Sequence, residues 1–282
     1  MQRLWEDDGG GAMINGLRVV TVGDDAGRRQ LLLFMGLSAC VEQYELRRLT
    51  LLAAAWNAQL TVVDVPGYGY GGARLTSTER RGLRRGDFSA VARRMVHTAQ
   101  QHHPTLRQDP VTVVGYSMGA SLACAAAADP GLLRITAMVL VEPVAMRRWS
   151  LPRLIRSVHS ENATINDYLE KNRDFSDAML PPERRNAELP QRSRGDLTHL
   201  GFAISRGHLI SDLLRANLIQ QFPVEIVHGM DSQLSQAADI ARMRTICRRA
   251  GINILDVSVA GRHALWHSLP DVAALARATL QR

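Results

Sequence analysis

The residues best able to do chemistry lie in the run Val113-Val114-Gly115-Tyr116-Ser117-Met118-Gly119-Ala120. The pattern is G-x-S-x-G, and it stands between a segment that reads as a strand and one that reads as a helix. A strand turning sharply into a helix presents the Ser117 hydroxyl on a strained elbow at the carboxyl edge of a sheet. Larger side chains at 115 and 119 would clash with such a turn, and the following helix points its positive end at the site. The chemistry this allows is attack by Ser117 on a carbonyl carbon. A serine hydroxyl needs a base to act as a nucleophile, and nine histidines are available to supply one.

The elements that must hold this serine alternate along the chain. Residues 17–22 alternate as a strand should and end in a turn at 23–27. Continuous apolar runs at 31–34, 60–65, 111–114 and 137–141 read as strands covered on both faces, and 224–227 and 252–257 complete the set. Helical spacing marks 43–57, 88–102, 117–128 and 269–280. The glycine-rich stretch 66–72 reads as irregular loop and is followed by a basic loop. Strands alternating with helices predict an α/β fold with a mainly parallel, doubly covered sheet.

One excursion breaks the rhythm. Residues 144–222 hold no convincing strand, carry Pro181-Pro182, and show helical patterns at 151–159, 164–172 and 209–220. A link this long is not a plain crossover, so 144–222 is expected to form a helical cap over the sheet. The core is then 16–143 and 223–282, with 1–15 a flexible lead-in and Met13 an alternative start.

From about residue 17 to the C-terminus the chain resembles the α/β-hydrolases. The elbow around Ser117 carries the likeness, as does Asp64-Val65-Pro66-Gly67-Tyr68-Gly69, which is similar to the family's D-x-P-G-x-G loop. The resemblance implies a serine, an acid and a histidine in that chain order. His263, beyond the last strand in Val259-Ala260-Gly261-Arg262-His263, matches the family's general base, with His267 as its near rival. The acid is assigned to Asp231, in the loop after the penultimate strand, with Glu142 as the alternative. Family members carry an aspartate three residues after the glycine of that loop; here the position holds Ser232, and the aspartate is two residues after Gly229. The oxyanion hole is expected from the backbone N–H groups of Met118 and of Leu37, in Met35-Gly36-Leu37, where relatives often have His-Gly-x.

The expected activity is a serine hydrolase acting on an ester, less readily an amide or thioester, of a small to medium apolar molecule. Acyl transfer, carbon–carbon bond hydrolysis and cofactor-free peroxidation stay open on the same scaffold, as does a non-catalytic binding protein. Serine at the elbow speaks against a nucleophilic aspartate.

Composition sets the outer limits. The 282 residues are 46% hydrophobic, ample for a buried core, and this rules out intrinsic disorder. The net charge is +7, yet Lys171 is the single lysine against 33 arginines, and net charge alone supports only solubility and non-specific association. No nucleic-acid partner is expected, and the arginines of 80–94 read as a solvated face. Cys40, Cys124 and Cys247 are too few and scattered for a disulfide framework or zinc site, so a reducing, cytoplasmic setting is the default. The apolar runs are too short to span a membrane. No metal or cofactor is expected; phosphate-binding glycine loops are absent from the sequence, and acyl-enzyme chemistry needs neither.

Overall fold

Continuous apolar strands dictate a sheet shielded on both faces. A computed structural model of the chain describes residues 11–23, 29–175, 180 and 189–280. Its main sheet has eight strands in the order β1-β2-β4-β3-β6-β7-β9-β10. These are β1 (Ala12–Ile14), β2 (Leu17–Val22), β3 (Arg29–Phe34), β4 (Ala58–Val63), β6 (Pro110–Tyr116), β7 (Arg134–Val141), β9 (Val224–Gly229) and β10 (Ile254–Val259). From β4 to β10 all pairings are parallel; β2 runs antiparallel to β1 and β4. A separate antiparallel pair joins β5 (Tyr68–Gly69) to β8 (Gln191–Arg192).

Alternation along the central strands feeds two apolar layers. Leu32 and Phe34 of β3 enter the layer beneath α3 (Ser89–His102), α4 (Gly119–Ala127), α8 (Leu209–Ile219) and α9 (Ala237–Arg249). Leu31 and Leu33 enter the opposite layer, under α1 (Gln43–Ala55) and α10 (Leu269–Ala278). The Trp56 indole after α1 donates to the Ala276 carbonyl on α10 at 3.0 Å, locking these two helices together. Cys40, Cys124 and Cys247 are buried free thiols.

Strand register sets the position of the site. Phe34 pairs with Gly115 and Tyr116 with Val141, while Val141 pairs with Val227. The carboxyl ends of β3, β6, β7 and β9 therefore reach the same edge. Loops leaving that edge are where an open α/β sheet places its ligand crevice.

Between β7 and β9 come α5 (Leu151–Asn162), α6 (Ile165–Glu170), α7 (Arg194–Ser205) and α8. Of these, α8 packs on α4 and returns the chain to the helical layer beside the sheet. The β8 strand tethers the insertion to the glycine-rich loop, where the Ser193 amide donates to the Gly67 carbonyl at 2.8 Å. Asp196 of α7, fully buried, accepts from the Arg74 and Arg80 side chains at 2.7 and 3.0 Å and from the Leu75 amide at 3.3 Å.

Several expectations need correction. Residues 12–14 are an edge strand and not part of a lead-in, because their amides pair with 17–19 of β2. The stretch 66–72 is not wholly irregular, since Tyr68 and Gly69 pair with β8, a short strand within 144–222. The basic loop contains α2 (Ser77–Leu83), started by a capping box in which the Thr76 and Glu79 side chains each accept from the other's backbone amide. Of the arginines at 80–94, Arg81, Arg84, Arg85 and Arg93 are exposed, as a solvated face requires, while half-buried Arg80 pairs with Asp196 and Arg94 with Glu79. Helices α7 and α9 were not anticipated either. On α9 only Ile240, Met243 and Cys247 are buried, a stripe one residue wide between arginines. Pro181-Pro182, and the expected turn from residue 24 on, lie outside the described residues.

Candidate active site

The elbow is built by steric exclusion. A Cβ on Gly119 would lie 1.9 Å from the Phe34 carbonyl oxygen, and one on Gly115 would lie 2.6 Å from the Gly119 oxygen. Neither position accepts a side chain, so β6 can turn into α4 directly against the end of β3. The turn forces Ser117 into the left-handed region, at φ 57°. A non-glycine residue there costs about 1–3 kcal/mol and is retained only where its surroundings dictate it. The Ser117 amide donates to the Val141 carbonyl at 2.9 Å, which pins the turn to β7.

The structure brings Ser117, His263 and Glu142 into one hydrogen-bonded run. His263 Nε2 lies 3.0 Å from Ser117 Oγ, and His263 Nδ1 lies 2.9 Å from Glu142 Oε2. This arrangement puts a proton on Nδ1, facing the carboxylate, and leaves Nε2 free to accept from the serine. The carboxylate that meets the imidazole is thus Glu142, the alternative, and not Asp231. Asp231 is exposed, and its amide donates to the Gly261 carbonyl at 2.9 Å. Glu142 sits at the end of β7, is wholly buried, and also has a left-handed backbone, at φ 51°. Its carboxylate accepts from the Gly229 amide and from the Ser232 hydroxyl, the latter at 2.6 Å. Hydrogen bonds of this kind are what a buried carboxylate needs to stay charged.

His267 is placed elsewhere. Its Nδ1 lies 3.3 Å from an Arg48 nitrogen, and its carbonyl accepts from the Tyr44 hydroxyl at 3.1 Å. Burial, with Arg48 and His263 adding to it, pushes His267 down to about 3, so this ring is neutral and accepts from the guanidinium.

Tyr116, the x before the serine, supports the loop that carries His263. Its ring stacks with those of His263 and Trp266, with centroids 5.4 and 4.6 Å away, and its hydroxyl donates to the His263 carbonyl at 3.2 Å. Burial, reinforced by Glu142, pushes the phenol far above its ordinary value, which keeps it a neutral donor. Neither Tyr116 nor Ser232 was picked out by type alone. For Ser232 the available signal was its place, three residues after Gly229, where relatives carry an acid.

On the other side of Ser117 lies the loop after β3. A Cβ on Gly36 would be 3.2 Å from the Ser117 Cβ, so the backbone of 36–37 passes close to the hydroxyl. Among the described residues, the amides of Leu37 and Met118 have no protein acceptor. Just before the glycine-rich loop, buried Asp64 accepts from the Val41 amide, in the loop after β3, at 2.6 Å. Burial raises Asp64 to about 7, against the opposing pull of the amides it accepts from.

Among the described residues no group of three or more His, Cys, Asp or Glu side chains could hold a metal, and no helix is long and apolar enough to cross a membrane.

Solved structures share this architecture along almost the whole chain. A thioesterase domain from the curacin biosynthetic pathway is 19% identical, with TM-score 0.61, over 96% of this chain and 98% of that one. The enol-lactonase from Burkholderia xenovorans LB400 is 15% identical, with TM-score 0.57, over 96% and 98%. A soluble variant of monoglyceride lipase from Saccharomyces cerevisiae is 14% identical, with TM-score 0.62, over 96% and 92%. No curated protein matches the chain in sequence. The family model of the alpha/beta hydrolase fold matches residues 31–194, a span that includes the glycine-rich loop, the elbow and Glu142, and the chain belongs to that family.

Proposed function

We propose that the protein is a serine hydrolase that cleaves a carboxylic ester of a small to medium apolar molecule through an acyl-enzyme on Ser117. The observation that carries this reading is the unbroken run from Ser117 through His263 to the buried Glu142, with contacts of 3.0 and 2.9 Å. An ester is put first because a lipase and an enol-lactonase are among the similar structures; a deformylase among them keeps an amide as the second substrate class.

In the first half-reaction His263 Nε2 takes the Ser117 proton as Oγ attacks the carbonyl carbon. The negative oxygen that develops is met by the amides of Leu37 and Met118, two donors already free to point at it. The tetrahedral centre collapses, the imidazolium returns its proton to the departing alkoxide, and the acyl group stays on Ser117. Water then repeats the sequence: His263 takes its proton, the hydroxide adds to the acyl carbon, and Ser117 leaves with the proton. Glu142 keeps its hydrogen bond to Nδ1 throughout, holding the ring and stabilising its charged form. The inserted helices act as a cap that shapes the acyl pocket and excludes bulk water.

The test is active-site labelling with a fluorophosphonate together with p-nitrophenyl ester turnover. Wild-type protein is expected to label stoichiometrically, and Ser117→Ala to lose both labelling and turnover, the latter by about 10⁴-fold or more, while keeping its melting temperature. Folded wild-type protein that does not label would refute the reading.

A further inference from the structure

The loop between β10 and α10 carries the base, and among the described residues no strand backbone accepts from the amides of Arg262, His263 and Leu269. Three side chains of the inserted segment do so instead. The Arg262 amide donates to the Tyr168 hydroxyl at 2.7 Å, and the His263 amide donates to Glu161 Oε2 at 3.2 Å. Further along, the Leu269 amide donates to Asn172 Oδ1 at 2.6 Å, and the Asn172 amide group donates to the His267 carbonyl at 2.9 Å.

Glu161 does more than hold one amide. It is 2% exposed, near the end of α5, and its other oxygen, Oε1, accepts from the Gln233 amide at 2.5 Å. Gln233 follows Ser232, whose hydroxyl holds the Glu142 carboxylate. One buried carboxylate therefore spans two loops, the one carrying the base and the one that seats the acid. The side-chain type matters here. A carboxylate offers acceptors on both oxygens, whereas a glutamine of the same size would turn an N–H₂ donor towards one of the two amides.

We propose that Glu161 is a positioning residue of the hydrolase, and that seating α5 and α6 sets the alignment of His263 with Ser117 and Glu142. The inserted helices are then part of the catalytic apparatus and not only a cover over the substrate. This inference rests on the Ser117–His263–Glu142 reading.

Glu161→Gln tests it by three measurements on the full chain: the rate of Ser117 phosphonylation, kcat per labelled site, and KM for a p-nitrophenyl ester. The expected result is a 10- to 100-fold fall in kcat and a parallel fall in the labelling rate, with KM within threefold of wild type. A role confined to holding the fold together would lower the melting temperature and leave kcat per labelled site unchanged. That outcome, or a variant that labels and turns over within twofold of wild type, overturns the proposal. If Glu161→Gln does not fold, Tyr168→Phe carries the test, since it removes only the acceptor for Arg262. A three- to tenfold loss of kcat is expected there, and an unchanged kcat overturns the proposal that seating α5 and α6 aligns His263. Wild-type protein that fails to label refutes the hydrolase reading itself, whereas a wild type that labels alongside an unaffected variant refutes only the role of Glu161.

Discussion

The two sides of the site are held by different kinds of force. On the serine side the constraints are backbone against backbone: Gly119 against the Phe34 carbonyl, and the Ser117 amide on the Val141 carbonyl. On the histidine side side chains hold the loops: Ser232 on Glu142, Tyr116 stacked on His263, and Glu161 and Tyr168 on the loop amides. The first arrangement is steric and tolerates almost no substitution. The second is polar and can be weakened by degrees, so activity and stability should separate there.

The comparison is sharpest at the acid. Glu142→Gln keeps the size of the side chain but removes the charge that holds the imidazolium, and kcat should fall by about 10³- to 10⁴-fold. Asp231→Asn should stay within twofold in the same ester assay, and a larger loss there than in Glu142→Gln would reverse the assignment. On the serine side, Gly119→Ala should disrupt the fold before it can report on chemistry. With a Cβ placed 1.9 Å from a carbonyl oxygen, about 3 kcal/mol or more of stability should be lost. Urea denaturation would show the shift, and a variant of native stability would mean the elbow can relax.

The smallest effect expected is one of pH. Folded His267 stays neutral down to about 3, while in the unfolded chain it protonates near 6.5. Between those values the unfolded state binds the extra proton, so the contribution of His267 to stability is complete above pH 6.5 and is lost as pH falls towards 3. From pH 7 to 5.5 it should cost about 1 kcal/mol. His267→Gln keeps an acceptor for Arg48 without the titration, and its thermal melts should vary less over that range. An equal dependence in wild type and variant would assign the effect to another group.

Much of the serine side was legible in the sequence because its logic is local. A strand, two glycines at fixed spacing and a small-residue helix all lie within residues 111–127, and the central strands are apolar enough to read without a partner. His263 was legible by its place after the last strand. The acid was not, because the choice depends on which of two loops turns its carboxylate inwards. Nothing in the residue types at 142 and 231 tells a buried carboxylate bonded to Gly229 and Ser232 from an exposed one. Helices α2 and α9 were missed for a related reason: arginines occupy their exposed faces and only two or three residues of each are buried. In α7 two glycines, and a buried face that takes in Asp196 and Ser205 beside its leucines, blur the apolar period.

The spacing of the reacting groups also bears on how the molecule becomes competent after synthesis. Ser117 and Glu142 end neighbouring strands joined by a short crossover, but the His263 contacts to them close loops of 146 and 121 residues. Long loops are closed late and at greater entropic cost, so the nucleophile should acquire its base only after most of the sheet has formed. After dilution from denaturant, ester turnover is expected to recover more slowly than far-ultraviolet circular dichroism. Between the two signals a folded but silent population should exist, already carrying its elbow and waiting for one imidazole.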